Sequence, residues 1–474
     1  MPILDQKSPG NASPGVNQSS RHEIFALPVM DKVLIYAPLQ GLVALVDQLA
    51  ADQLRKGIAG DEPIENAKLK ALIADLQTPQ DIPQPRQGGM GAPLFLGLVT
   101  TRGCNMGCKY CDFAAPKQTS PIMDLSTARR AIDAYFHVLS QQGISHAELH
   151  FFGGEPFFAP QTVHFSVEYA LAKASENHKT LHLEAITNGF FNPRMADWVA
   201  KTFDTVFLSL DGPREIHDLY RPTISGRSTF ATITRNARLF LDQNVELILR
   251  SCVTSDTVGR LPEIAAWFAD ELHPSAVCFE AMVSSALSQS QGIAPPDPWN
   301  FARSFCQAAD ILAAQGIRTV LSTAELCIPY VSFCPVGNDA MIVTPEGKIN
   351  ACYLLEEDWR KEGLDLQYGS LGEENNPPGS FILDQNGLDR IRQFNVHSYP
   401  LCADCFCRFH CSGGCHVNHR KTLHSSTYDS TCIQTRMITI SILLKRMGQA
   451  ALSQQWLSEM DHYRSTVLQK DDRL

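Results

Sequence analysis

Six short apolar runs recur between residues 94 and 283, at 94–100, 147–152, 181–187, 206–211, 245–253 and 276–283, with helical stretches between them. Strands that alternate with helices pair in parallel through right-handed crossovers. The stretch 126–142 shows the helical pattern: Ile132, Phe136 and Leu139 share one face, with Ser126 placed to cap the start and Gly143 to end it. The expected fold class is therefore α/β, an open or partly closed barrel of six βα units over residues 93–320. In such folds the chemistry sits on loops at the C-terminal ends of the strands. That rule says where functional motifs should fall.

The flanks read differently. Residues 1–22 are polar and rich in Ser, Gly, Asn and Pro, the texture of a disordered tail. Residues 23–76 hold three strand-like runs, the first two parted by a Met30-Asp31 turn, and then two helical patterns, at 47–56 and 64–76. Residues 77–92 form a Pro/Gly/Gln linker. From about Leu321 the βα rhythm stops; the rest holds nine of the chain's fifteen cysteines and ends in a helical pattern from about Thr435 to Leu468. These boundaries give a Cys-rich unit at 321–434 and a closing helix at 435–474. The net charge of −10, without a basic run, argues against nucleic-acid binding. No apolar stretch approaches 18 residues and no signal peptide is evident, so neither a membrane span nor secretion is expected. Fifteen cysteines then point to metal chemistry in a reducing cytoplasm rather than to disulfides.

Cys104, Cys108 and Cys111 follow the first barrel run with C-x3-C-x2-C spacing. Three thiolates suit three irons of a four-iron cube, leaving the fourth open, whereas a zinc knuckle wants a fourth Cys or His nearby. With Tyr110 before the third cysteine, this resembles the signature of the radical S-adenosylmethionine (SAM) superfamily. Further motifs close successive runs: Gly153-Gly154-Glu155, Thr187-Asn188-Gly189 and Ser209-Leu210-Asp211-Gly212. The resemblance covers about residues 94–285. It implies that Gly153, Gly154 and Glu155 grip the methionine amino group and that Ser209 and Asp211 bind the ribose and methionine parts. Arg221 matches an arginine that pairs with the methionine carboxylate; Tyr110 and Asn188 join this set. Adenine contacts are expected near Phe279 and Glu280.

A second series runs Cys334, Gly347, Cys352, then Cys402, Cys405, Cys411, Cys415 and Cys432. It resembles the SPASM domain of radical SAM enzymes that act on peptides and proteins, with Cys327 as the eighth thiol. The resemblance implies two auxiliary 4Fe–4S clusters, one on Cys327, Cys334, Cys352 and Cys415, the other on Cys402, Cys405, Cys411 and Cys432. With the SAM-binding cluster that makes three. Zinc is the alternative occupant, since C-x2-C also begins zinc ribbons. Cys407 is an extra, either a packed thiol or an alternative ligand; Cys252, Cys278 and Cys306 read as small core residues.

The N-terminal pattern resembles the winged-helix-like module with which ribosomal-peptide maturases bind a leader peptide as an added strand. The implied partners are a precursor peptide and an external electron donor of flavodoxin or ferredoxin type. The leading reading is a peptide maturase installing a thioether or carbon–carbon crosslink. Its alternatives are an anaerobic sulfatase-maturing enzyme and a non-catalytic iron–sulfur scaffold. Sulfatase maturases carry an Asp base after the Gx4C cysteine; Tyr353 stands there. No residue is assigned as the substrate-side acid or base.

Overall fold

The computed structural model describes residues 23–474 except 92, 94, 112–119, 327, 335–338, 420–426 and 470. The N-terminal tail and Cys327 lie outside the described residues.

Strands β1 (Phe25–Val29), β2 (Lys32–Ala37) and β3 (Leu42–Val46) form an antiparallel meander. Met30 makes the first turn in the left-handed region, at φ 57°, and Gly41 the second, at φ 63°. The helix Gln48–Ala59 starts on an Asp47 cap and ends at Gly60, φ 82°; the helix Ala67–Leu76 starts on Asn66. Alternation gives the sheet two apolar faces. Ala26, Val33 and Ile35 pack under these helices with Leu54 and Leu69. Phe25, Leu27, Leu34 and Tyr36 face the main core.

The six expected barrel strands are present: β4 (Leu96–Thr101), β5 (His146–Gly153), β6 (Thr180–Thr187), β7 (Thr205–Ser209), β8 (Glu246–Val253) and β9 (Ala276–Ala281). They pair in parallel in chain order, with Leu96 opposite Leu149 and Leu98 opposite Phe151. Their outward residues, such as Leu149, Phe151 and Leu208, pack under the helices in the main core. Their inward residues, Val99, Phe152, Phe207, Ile248 and Cys278, form two smaller clusters bridged by Ile186.

The structure departs from the sequence reading in four places. The parallel sheet does not stop at six: β10 (Arg318–Val320) pairs with β9, and β11 (Met341–Val343), from the Cys-rich segment, pairs in parallel with β4. Beyond it, β12 (Lys348–Asn350), β13 (Gln367–Leu371) and β14 (Phe381–Leu383) continue antiparallel to the far edge. Three-residue strands are too short to show a period. The closing segment is not one helix but three, Ser430–Arg446, Ala450–Ser458 and Met460–Val467, the first break falling at Gly448 with φ 74°. The last strand, β15 (Asp472–Arg473), returns to pair with β1. Lastly, the helix Leu125–Gln141 is capped by Asp124, which accepts from Thr127 N, rather than by Ser126.

The linker is strapped down rather than free. Arg392 donates to the Asp339 carboxylate at 2.9 Å and to Gly89 O at 2.9 Å, while Gly91 N also donates to Asp339 at 2.9 Å. Asp339 and Arg392 are both buried. Removing one partner of a buried pair strands the other charge, which costs about 3–5 kcal/mol. Asp339→Ala should lower the unfolding free energy by about that amount in urea titrations of the full chain, whereas Arg260→Ala, in an exposed pair, should cost about 1 kcal/mol or less.

Candidate SAM and metal sites

The centre of the site is a backbone contact. Gly154 N donates to Thr101 O at 3.0 Å and Glu155 N to Gly103 O at 2.9 Å, docking the loop after β5 onto the loop after β4. A Cβ on Gly153 would lie 2.3 Å from Thr101 O, and one on Gly154 would lie 2.5 Å from Gly103 O. Gly153 also sits at φ 153°. The close approach expected of the glycines is thus made to the chain itself.

Docking delivers Glu155 beside the cysteine loop. Its carboxylate accepts from Asn188 N (2.7 Å), Thr187 Oγ1 (2.8 Å) and Phe157 N (3.1 Å). Only 1% of the residue is exposed, and no Lys or Arg pairs with it among the described residues. Burial outweighs the three donors and pushes its pKa up to about 7. A buried carboxylate with N–H donors and no cation suits a ligand ammonium, as the resemblance implies.

Cys104 is buried, and Cys108 and Cys111 are half-buried. Met106 N and Asn188 Nδ2 donate to Cys104 Sγ at 3.4 and 3.5 Å. Burial pushes the Cys104 and Cys108 thiols up to about 12, with the neighbouring thiols adding to the effect. Such thiols ionise when a metal coordinates them. The loop is pinned by Gly107 N to Pro222 O (2.9 Å) and Lys109 N to Tyr220 O (2.9 Å). Three clustered thiols, two of them buried deeply enough to stay protonated unaided, fit an iron–sulfur cluster with an open iron.

Asp211, at the end of β7, is already engaged. It accepts from Tyr110 Oη (2.5 Å), Arg221 Nε (3.0 Å) and Cys252 N (3.1 Å). Arg221 in turn lies over the Tyr110 ring at 5.3 Å and points Nη1 toward Cys108 Sγ at 4.0 Å. Tyr110, Asp211 and Arg221 therefore form one buried network beside the cysteine loop. Ser209 ends β7, half-buried. Phe279 is turned the other way: it is fully buried among the outer aromatics, 6.3 Å from Phe305, and faces the helices. Glu280, on the opposite side of β9, accepts from Cys278 Sγ (3.1 Å) and Ser322 Oγ (3.0 Å). Near it Tyr353 stacks on Phe152 at 4.9 Å, with the Arg250 guanidinium as its charged neighbour.

In the Cys-rich segment, Cys402, Cys405, Cys411 and Cys432 line a single cavity. Their all-thiol donor set fits a second cluster. Cys352 and Cys415 are electrostatic neighbours, and Cys334 is half-buried at φ 50°. Three residues at the cavity escape the cysteine pattern. Cys407, 2% exposed, lines the cavity with Cys405. His419 Nε2 lies 3.6 Å from Cys432 Sγ and 2.8 Å from Asp429 Oδ1. Asp429 was readable only as a helix cap, three residues before Cys432, whose N–H it accepts at 2.9 Å.

Gly154→Ala should displace the loop after β4, because the obstructing atoms are backbone carbonyls. Anaerobic reconstitution should then yield about four fewer irons per chain than wild type, while Gly259→Ala, whose site is open and whose backbone is unstrained, retains them.

The sequence matches the Radical SAM superfamily over residues 98–267. The cysteine-type anaerobic sulfatase-maturating enzyme of Clostridium perfringens is 28% identical over 173 residues, 36% of this chain and 46% of that protein. The match thus spans about half the length of that relative. The radical SAM cyclopropyl synthase TigE of Paramaledivibacter caminithermalis is 22% identical over 172 residues, 34% of this chain and 35% of that protein. Among solved structures, native anSMEcpe with bound AdoMet and Cp18Cys peptide superposes with a TM-score of 0.56 at 18% identity, covering 75% of this chain and 98% of that one. At that identity the likeness is one of fold. Taken with three thiols and a buried glutamate at adjoining strand ends, these matches show that the chain carries a radical SAM domain over residues 98–267.

Proposed function

We propose that the protein modifies a peptide by radical chemistry, using SAM held at the C-terminal ends of β4 to β7. The observation that carries this is Glu155, a buried carboxylate without a cationic partner, set beside three clustered thiols. When bound, a reduced cluster on Cys104, Cys108 and Cys111 supplies the electron that splits SAM into methionine and a hydrogen-abstracting 5′-deoxyadenosyl radical. The chain's own residues position and shield. Glu155 holds the ammonium, with Gly153 and Gly154 fixing its loop. Arg221, oriented by Asp211 and Tyr110, is directed at the methionine carboxylate, and Asn188 and Ser209 line the same strand ends. The Cys327, Cys334, Cys352, Cys415 set and the Cys402, Cys405, Cys411, Cys432 set would hold the auxiliary clusters.

A leader-binding role for the N-terminal sheet is supported by its edges. β15 occupies the side of β1, which among the described residues leaves β3 with an open side for an added strand. A flavodoxin- or ferredoxin-type donor would reduce the cluster. Sulfatase maturation is the second reading, favoured by the Clostridium relative. Against it stands Tyr353, half-buried and stacked on Phe152 where that group carries an aspartate.

The decisive experiment incubates the anaerobically reconstituted full chain with SAM, dithionite and either a candidate precursor peptide or a sulfatase-derived peptide. Release of 5′-deoxyadenosine with a mass change in the precursor supports the leading reading; formylglycine in the sulfatase peptide replaces it with the second. Absence of 5′-deoxyadenosine sinks both. Added precursor should also slow amide exchange across Leu42–Val46, and unchanged exchange there would remove the leader-binding role.

Glu155 gives a pH prediction. Its raised pKa means the carboxylate is protonated below about 7 and loses its hold on an ammonium. SAM affinity, measured by equilibrium dialysis, should rise with pH through about 7 and level off above it. Glu155→Gln should bind at least about tenfold more weakly, with that rise abolished.

A further inference from the structure

Arg436 lies on the helix Ser430–Arg446, one turn beyond Cys432, and is 2% exposed. A guanidinium has five N–H donors, and every one here is spent. Nε donates to Val467 O (2.9 Å), and Nη2 to Gln469 O (3.2 Å) and Asp471 Oδ1 (2.7 Å). Nη1 donates to Asp471 Oδ2 (2.7 Å) and to Cys405 Sγ (3.5 Å). Four donors therefore go to the C-terminal tail and the fifth to a cysteine of the second cavity. The plane is fixed between rings, with Tyr428 at 4.2 Å and Phe406 at 5.0 Å.

Asp471 grips the same loop. Its carboxylate also accepts from Phe406 N (2.9 Å), and its own N–H donates to Asp404 O (3.1 Å). Asp472 and Arg473 then pair with β1, and Leu474 N donates to Ile24 O (2.9 Å). The tail is a latch across residues 404–406, and Arg436 is the side chain that joins it to sulfur. Simple packing does not require a buried cation with its last donor on a thiol.

We propose that Arg436 is a positioning residue for the second auxiliary cluster: it orients Cys405 and raises the cluster's reduction potential, while Asp471 limits that effect. The proposal rests on the reading that Cys402, Cys405, Cys411 and Cys432 hold an iron–sulfur cluster. Reduction adds a negative charge to such a cluster, so a hydrogen bond and a positive charge at a ligand sulfur favour the reduced form. Asp471 supplies the opposing charge beside the same guanidinium. The two residues must therefore shift the potential in opposite directions.

The test uses the full chain in a Cys104→Ala, Cys108→Ala, Cys111→Ala background, reconstituted anaerobically and titrated by EPR against redox potential. Arg436→Gln should lower the one-electron reduction equilibrium of one auxiliary signal about tenfold, roughly 59 mV. Asp471→Asn should raise the same signal's potential, and the other auxiliary signal should stay in place in both variants. Loss of packing alone would move the two variants the same way, or move both signals, and either result overturns the proposal. So does an unchanged potential in Arg436→Gln. Should Arg436→Gln fail to load iron, the sign of the Asp471→Asn shift decides: a lower or unchanged potential overturns it. If Cys402→Ala, Cys432→Ala removes no iron from the parent, the auxiliary-cluster reading itself fails and takes this inference with it.

Discussion

The ends of β4 and β5 meet backbone to backbone, and the site depends on that meeting. Two N–H groups after β5 bond to carbonyls of residues 101 and 103, at distances that leave no room for a Cβ on Gly153 or Gly154. Everything nearby takes its position from this contact. Cys104 follows Gly103 directly, and Glu155 follows Gly154 directly, so a thiol and a carboxylate are fixed relative to each other by main chain. Once the main chain is folded, such contacts have no rotamers left to lose, unlike those made by long side chains. A site that must hold a reactive intermediate away from water benefits from such stiffness.

Charge is distributed around this core in two different manners. Asp211 and Arg221 neutralise one another under Tyr110, a closed network that folding alone satisfies. Glu155 is left with hydrogen-bond donors and, among the described residues, no countercharge. The contrast separates a pair of charges that the chain balances within itself from a single charge that it does not. Burying an unpaired carboxylate is costly, and proteins retain such groups where a ligand restores the balance.

Much of this was legible in the sequence. β4 to β9 are apolar along most of their length, and the cysteine spacings survive in one dimension. The motifs after β4, β5, β6 and β7 fall at the strand ends, as the barrel rule requires. What escaped had short or distant causes. β10 and β11 have three residues each, and their partners lie in other segments. The choice of Asp124 over Ser126 as a cap depends on a two-residue difference in where the backbone turns. Phe279 and Glu280 are neighbours that strand geometry sends to opposite faces. Arg436 and Asp471 belong to no spacing pattern; they meet because a tail 35 residues on folds back over the 404–406 loop.

The pairing of β1 with β15 has a consequence for biogenesis. Phe25 and Ala26 pair with Arg473 and Asp472, so the first described strand gains this neighbour only after the residues between them have been made. Ribosomes add about 5–20 residues per second, so that wait lasts tens of seconds. The 404–406 loop waits less, because Asp471 follows Phe406 by 65 residues, roughly 3–13 seconds of synthesis. Until that contact forms, the loop that carries Cys402, Cys405 and Cys411 is held without the tail that later clasps it.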